Sequence, residues 1–483
     1  MAAPAWKSRC WEGPVLGGVG LQRRLFHGGA ALAQAAPAWK SRCWEEPQRR
    51  PFCGGAVHHH GCCPMGEIHS LASRVCPSAY RQGLDKDANI VRPSSTPVPT
   101  ASPTPSIPTL PGGALVVRNG TVIDGTGAGP ILNGLVAIQD GEIIAIGPET
   151  QFQIPQEAQV VDAQGGTILP GFIDAHTHIF ESAGTTQAVL NRWLRAGVTT
   201  VRDLGSRYGK DAPSLSIAAF KQQLAAYGNT IPTIVIAGPI MTAPGGYPVP
   251  MLGRGSALEV ANAEEARQEA ERLLADGADE IKIAVESGGP QQPFPALTLE
   301  QVKAITEVAH RQGTRVSAHV MHPQDAQVAI DGGVDDLAHK VLFGEMPDEL
   351  IQQMVERNVW LVPTLVVEDD LAADVGLTDE QMKEFVEIMQ DGLRRYLAAG
   401  GKVAMGSDFG ATERIPQGMP LPELQRMVEF GMTPMQVIMA ATSHAAQVCN
   451  LGDRLGTLEV GKQGDVIVVR DNPLEEIEAM GEV

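Results

Sequence analysis

From residue 171 onward, short apolar runs with the two-residue period of strands alternate with longer stretches in which apolar residues recur at helical spacing. The short runs predict strands at residues 171–176, 199–203, 233–237, 280–285, 315–319, 335–338, 360–362 and 403–406. Between most of them the longer period predicts helices, among them 263–275, 298–312 and 379–399. Thr433-Pro434 opens another helix, with Thr as N-cap and Pro in the first turn. Eight strands alternating with helices predict an α/β fold, a (β/α)8 TIM barrel over residues 168–452. The flanks have a different pattern. Residues 113–167 carry strand periodicity with Asp140-Gly141 as a hairpin turn, and strands return at 456–458 and 465–469. The two β-rich ends, 113–167 and 453–480, are expected to pair into one small β-sandwich domain.

The first 111 residues lack both periods. "AAPAWKSRCWE" occurs at residues 2–12 and again at 35–45. Two copies fall short of the roughly three repeats a solenoid needs. We expect residues 1–92 to be a non-structural leader, translated from sequence upstream of a start near Met65, with His58-His59-His60 a His-rich patch beside Cys62-Cys63. Residues 93–111 read as a Ser/Thr/Pro tether, too extended to build a core. Removing residues 1–108 should therefore leave stability and activity nearly unchanged.

Composition narrows the partners. The net charge of −19 argues against nucleic acid, and no apolar run is long enough to span a bilayer. Residues 1–110 hold 12 Lys+Arg against 6 Asp+Glu, so the rest of the chain holds 25 against 50. Only Cys449 lies beyond the head, so the body is not stapled by an internal disulfide. Localisation stays open between cytoplasmic and exported, and a homo-oligomer acting on a small molecule is expected.

The chemistry sits at strand ends. In "ILPGFIDAHTHIF" (168–180) Asp174, His176 and His178 share one face. In "EIKIAVES" the alternation of Ile281, Ile283 and Val285 leaves Lys282 facing inward, and His319 and His339 end the next two predicted strands. In "VAMGSDFG" Ala404, Gly406 and Asp408 share a face. Five strand ends thus offer imidazole, amine or carboxylate to one point, a donor set that suits zinc. A protonated Lys282 would be repelled by divalent cations, but an amine that has reacted with carbon dioxide becomes a bridging anion.

These motifs resemble the metal-dependent amidohydrolase superfamily, with "PGFIDAHTH", the Lys282 strand, "GSD" and the tail "LGTLEVGKQGDVIVV" carrying the similarity. "GVTTVRDLG", "IKIAVESGG" and "VPTLVV" are similar to its prolidase-like group, which is related to the imidazolonepropionases. The resemblance implies two divalent ions, zinc above all: one held by His176, His178 and Asp408, the other by His319 and His339, with carbamylated Lys282 bridging both. Asp408 would be the general base, and the substrate an amide such as an N-acyl amino acid or a dipeptide. Other chemistry of the superfamily (cyclic amide, lactone or phosphotriester hydrolysis) and a non-catalytic scaffold on the same fold are the alternatives. Arg202 past the second strand, Tyr247 in the "GGY" loop and His322 are the candidate substrate contacts, although many relatives place a His after those glycines. His310 reads as a helix-terminal His complementing the dipole, and His444 as structural.

Overall fold

The computed structural model describes residues 107–179, 187–205, 216–289, 292–367, 378–411, 415 and 417–483. The expectations for the leader, the His-rich patch and nearly all of the tether lie outside these residues. The first strands along the chain are β1 (Leu115–Val122), β2 (Ile131–Gln139), β3 (Glu142–Pro148), β4 (Gln159–Asp162), β5 (Thr167–Pro170) and β6 (Phe172–Thr177). They continue as β7 (Val198–Asp203), β8 (Thr233–Ile236), β9 (Met241–Thr242), β10 (Leu258–Glu259) and β11 (Ile281–Ala284). The last are β12 (Gly288–Gly289), β13 (Gln292–Pro293), β14 (Val316–His319), β15 (Asp336–Ala338), β16 (Trp360–Val362) and β17 (Val466–Val469).

The two ends of the body do pair. β17 runs antiparallel to β5 in a six-stranded sheet of order β17-β5-β1-β2-β3, with β4 added on β1. Asp140 and Gly141 turn β2 into β3 with φ of 53° and 85°, the positive angles a type I′ hairpin needs. Apolar side chains pack on both faces of this sheet, Val117 and Val136 in one cluster and Val116 and Ala137 in another. Among the described residues these strands make one sheet, in which the two facing layers of the expected sandwich are not distinguished. Residues 456–458 form no strand, although the Leu458 N–H still donates to the Asp124 carbonyl at 2.9 Å.

The remaining strands are parallel where they matter for the site. β6, β7 and β8 pair in sequence, and β11, β14, β15 and β16 pair in sequence beside β9 and β10. The segment expected as the eighth strand is a set of bridges instead of a ladder. The Ala404 N–H donates to Leu361 O and the Ala175 N–H to Met405 O, both at 2.9 Å, so this segment lies between β16 and β6. On the other flank the Asp279 N–H donates to Ile236 O at 2.8 Å, tying the approach to β11 to the end of β8.

Helices cover the outer face. Helix Ala263–Ala275 is capped by Asn262, and helix Leu299–Arg311 by a capping box of Thr298 and Gln301. Ile281 and Ile283 of β11 pack into the same cluster as Val302, Ile305 and Ala329 of the covering helices. Two-residue alternation then turns Lys282 away from that layer. Among the described residues, no helix is long and apolar enough to cross a membrane.

Candidate metal centre

The site is built where parallel strands end. His176 is in β6 and His178 just beyond it, Lys282 is in β11, His319 closes β14, His339 follows β15, and Asp408 follows the 403–406 segment. Gly406 explains why "GSD" must carry its glycine. A Cβ there would stand 2.5 Å from Val362 Cγ1 and 2.7 Å from His176 Cβ, so only a bare backbone lets this segment close on β6. Asp174 completes the clamp: its carboxylate accepts from Ser407 Oγ at 2.5 Å, Ser407 N at 2.9 Å and His176 N at 3.2 Å. Burial is the main cause that raises the Asp174 carboxyl to about 7, against the pull of these donors.

The structure brings the expected donors together. Asp408 Oδ1 lies 3.3 Å from His176 Nε2 and 3.1 Å from His178 Nε2. The His176 ring centroid is 5.3 Å from that of His178 and 4.8 Å from that of His339, which is 4.7 Å from His319. His339 Nδ1 meets Thr364 Oγ1 at 2.7 Å, a partner that leaves Nε2 as the ring's ligand atom. Thr364 is itself in a segment held by buried Glu423, whose carboxylate accepts from Leu365 N at 2.8 Å and Val366 N at 2.9 Å.

Electrostatics favour neutral bases and an ionised acid. Burial, reinforced by the Lys282 charge, holds His176 well below the ordinary imidazole range, and burial does the same to His319. His339 is lowered to about 4 and Lys282 to about 7, in both cases chiefly by burial. Burial alone would raise Asp408, but His178 and the neighbouring positive charge leave it below its usual value.

The donor set of these residues fits a divalent metal ion. Among the described residues, His176 Nδ1 and Nε2, His319 Nε2, Lys282 Nζ and Asp408 Oδ1 are buried without a hydrogen-bond partner. Leaving even one such group unsatisfied costs about 1–3 kcal/mol, so a cluster of them calls for a ligand. His176, His178 and Asp408 by themselves bring three ligand atoms within 4.8 Å of one another.

The three proposed substrate contacts separate. Tyr247 stacks on His319, the ring centroids 4.1 Å apart and 11° from parallel, which puts it against one of the candidate ligands. His322 lies three residues past His319 and packs beside Glu286 and Asp325. Arg202 is not where the sequence reading puts it. It lies within β7, fully buried, with Nε 2.6 Å from Glu280 Oε1 and Nη2 2.8 Å from Asp336 Oδ2. A guanidinium locked between two buried carboxylates is an internal ion cluster, and the parity of β7 turned it inward below the site. His310, in the last turn of its helix, pairs with Asp335 at 3.0 Å, and His444 Nδ1 donates to Val403 O at 2.9 Å. Asp174, Ser407 and Thr364 were missed as site residues, and the only sequence signal was a polar residue inside an apolar run.

Residues 167–482 match the model of the amidohydrolase family. The chain is similar to an ochratoxinase from Aspergillus niger, 28% identical over 76% of this chain and 83% of that enzyme. It is similar to an imidazolonepropionase from a Geobacillus species, 26% identical over 70% of this chain and 84% of the relative. A solved structure provisionally named a prolidase, from Bifidobacterium longum, superposes with a TM-score of 0.64 at 29% identity, covering 76% of this chain and 91% of the other.

Proposed function

The chain belongs to the amidohydrolase family and is a hydrolase acting on carbon–nitrogen bonds, and from that premise we propose that it cleaves the amide bond of an N-acyl amino acid or a dipeptide at a binuclear metal centre. In this reading β6, β7, β8, β11, β14, β15, β16 and the 403–406 segment are the eight staves of a closed barrel with the centre at its C-terminal face. The observation that carries the proposal is the convergence of four histidines, Lys282 and Asp408, in which, among the described residues, ligand atoms of His176, His319, Lys282 and Asp408 are buried without a hydrogen-bond partner. When bound, two divalent ions, zinc by the imidazole-rich donor set, would polarise the scissile carbonyl and lower the pKa of water toward about 7.

The residues divide that work. His176, His178 and Asp408 would hold one ion, and His319 and His339 the other. Among the described residues Lys282 is a buried amine without a hydrogen-bond partner, the state in which it can add carbon dioxide, release a proton and become a carbamate with two oxygens to share. Asp408 takes the proton released by the attacking water and passes it to the leaving amine, so that the amine departs neutral. Tyr247, stacked on His319, is the proposed partner of the substrate carboxylate. The name of the prolidase-like neighbour supports a dipeptide or a related carboxylate-bearing amide.

A panel of N-acyl amino acids and Xaa-Pro dipeptides, each assayed beside its C-terminal amide, tests the substrate class. The acid should be cleaved far faster than the amide, and Tyr247→Phe should mainly raise KM. Equal rates on acid and amide would refute carboxylate recognition and leave the hydrolase standing. Turnover confined to cyclic amides, lactones or phosphotriesters would replace the substrate class altogether.

A further inference from the structure

A second group of ligating side chains lies apart from the central cluster, beyond the ends of the adjacent parallel strands β11 and β14. Glu286 lies two residues past β11, His322 three residues past β14, and Asp325 in the first turn of helix Pro323–Gly332. One ligand atom from each falls within 4.8 Å of the others. His322 Nδ1 is 3.2 Å from Glu286 Oε1 and 3.6 Å from Asp325 Oδ2. Unlike the many acidic clusters on protein surfaces, this one is covered: Glu286 is 4% exposed and Asp325 5%.

Two buried carboxylates close together need compensation, because each ion withdrawn from water loses its hydration. The neighbours supply part of it. Ser287 donates to Asp325 Oδ2 through its N–H at 2.9 Å and its Oγ at 2.8 Å, and the Gly288 N–H donates to Glu286 Oε1 at 2.9 Å. The remainder is unmet. Among the described residues, Glu286 Oε2 is buried without a hydrogen-bond partner, and His322 Nδ1 lacks one of acceptable geometry in spite of its short approach.

We propose that Glu286, His322 and Asp325 form a second divalent-cation site, separate from the central cluster. One imidazole and two carboxylates are a donor set that zinc accepts, and water can complete the coordination. A cation there would neutralise both acids at once and tie the β11 loop to the start of the helix after β14. The rival occupant is a proton on His322, which would offset a single carboxylate. The site also weighs against His322 as the group that receives a substrate carboxylate, since that carboxylate would meet two acids.

The test uses the full chain, stripped by chelation, reloaded with zinc and freed of unbound metal. Bound zinc is then counted by elemental analysis. Glu286→Gln and Asp325→Asn should each hold about one zinc fewer than the wild type, whereas Lys282→Ala, which disturbs only the central cluster, should keep the zinc at the second site. Equal zinc in wild type, Glu286→Gln and Asp325→Asn would overturn the proposal in favour of the proton. Should these variants not fold, anomalous diffraction at the zinc edge from wild-type crystals decides. A peak among the three side chains supports the site, and its absence in zinc-loaded crystals overturns it. Either readout stands whether the central cluster holds two ions, one or none.

Discussion

His339, Thr364 and Asp408 leave their strands with φ of 74°, 48° and 57°, although none is a glycine. Such conformations cost about 1–3 kcal/mol each and persist only where neighbours impose them. Here backbone bonds impose two: the His339 N–H donates to Val362 O at 2.9 Å, and the Asp408 N–H donates to His176 O at 2.8 Å. Thr364 then fixes the His339 ring, so Thr364→Val should lower zinc affinity about 10–100-fold, the usual cost of losing a hydrogen bond to a ligating imidazole. Competition with a chelator measures this, Thr364→Ser should restore it, and unchanged affinity in Thr364→Val would remove Thr364 from the site. Lys282→Ala should lose metal and most of kcat, with short-chain carboxylic acids partly restoring activity; normal metal content would end the bridging role. Asp408→Asn keeps size and one oxygen but takes no proton, so kcat should fall about 10²–10⁴-fold, and wild-type turnover would assign the proton to another group. The candidate ligands could be named from the sequence because strand parity is local: each needs only its own few neighbours. Thr364 and Asp174 were not, because their partners stand 25 and 233 residues away.

Elements followed the same division between local and distant causes. Helix Ala263–Ala275 begins and ends where its apolar period predicts, and the structure adds its Asn262 cap. The 403–406 segment was expected as a strand and is found as bridges, since Gly406 gives up side-chain packing to approach His176. Residues 456–458 have strand composition, but the Leu458 N–H is taken by Asp124, far off in sequence. His444, in the π-helical turn Ala440–His444, braces the same 403–406 segment through Val403 O. Burial lowers its pKa from 6.5, with the Val403 hydrogen bond opposing. The folded chain thus takes up this proton less readily than the unfolded one, so the stabilisation is present above 6.5 and is lost as pH falls through the folded value. Melting temperature should therefore drop more steeply from pH 7 to pH 5 in the wild type than in His444→Gln. Parallel pH dependence of the two proteins would show that His444 does not titrate on unfolding.

At the scale of the molecule, β17 joins β5, so one sheet is completed by segments from both ends of the body. Strand periodicity at both β-rich ends predicted that pairing. The register needed the structure. So did the boundary of the head: Pro108 O accepts from the Gln153 N–H at 2.9 Å, and Leu110 is buried. A chain beginning at Ile107 keeps these contacts and should melt within about a degree of the full chain, whereas a large loss would give the head a structural role. The central claim concerns the cluster that both halves of the chain converge to build. It is tested most directly by following hydrolysis of an N-acyl amino acid or Xaa-Pro dipeptide before chelation, after it, and after zinc is returned. The account predicts turnover that disappears with the metal and returns with zinc. Undiminished turnover by metal-free protein, or no cleavage of any such amide by zinc-loaded protein, would contradict it.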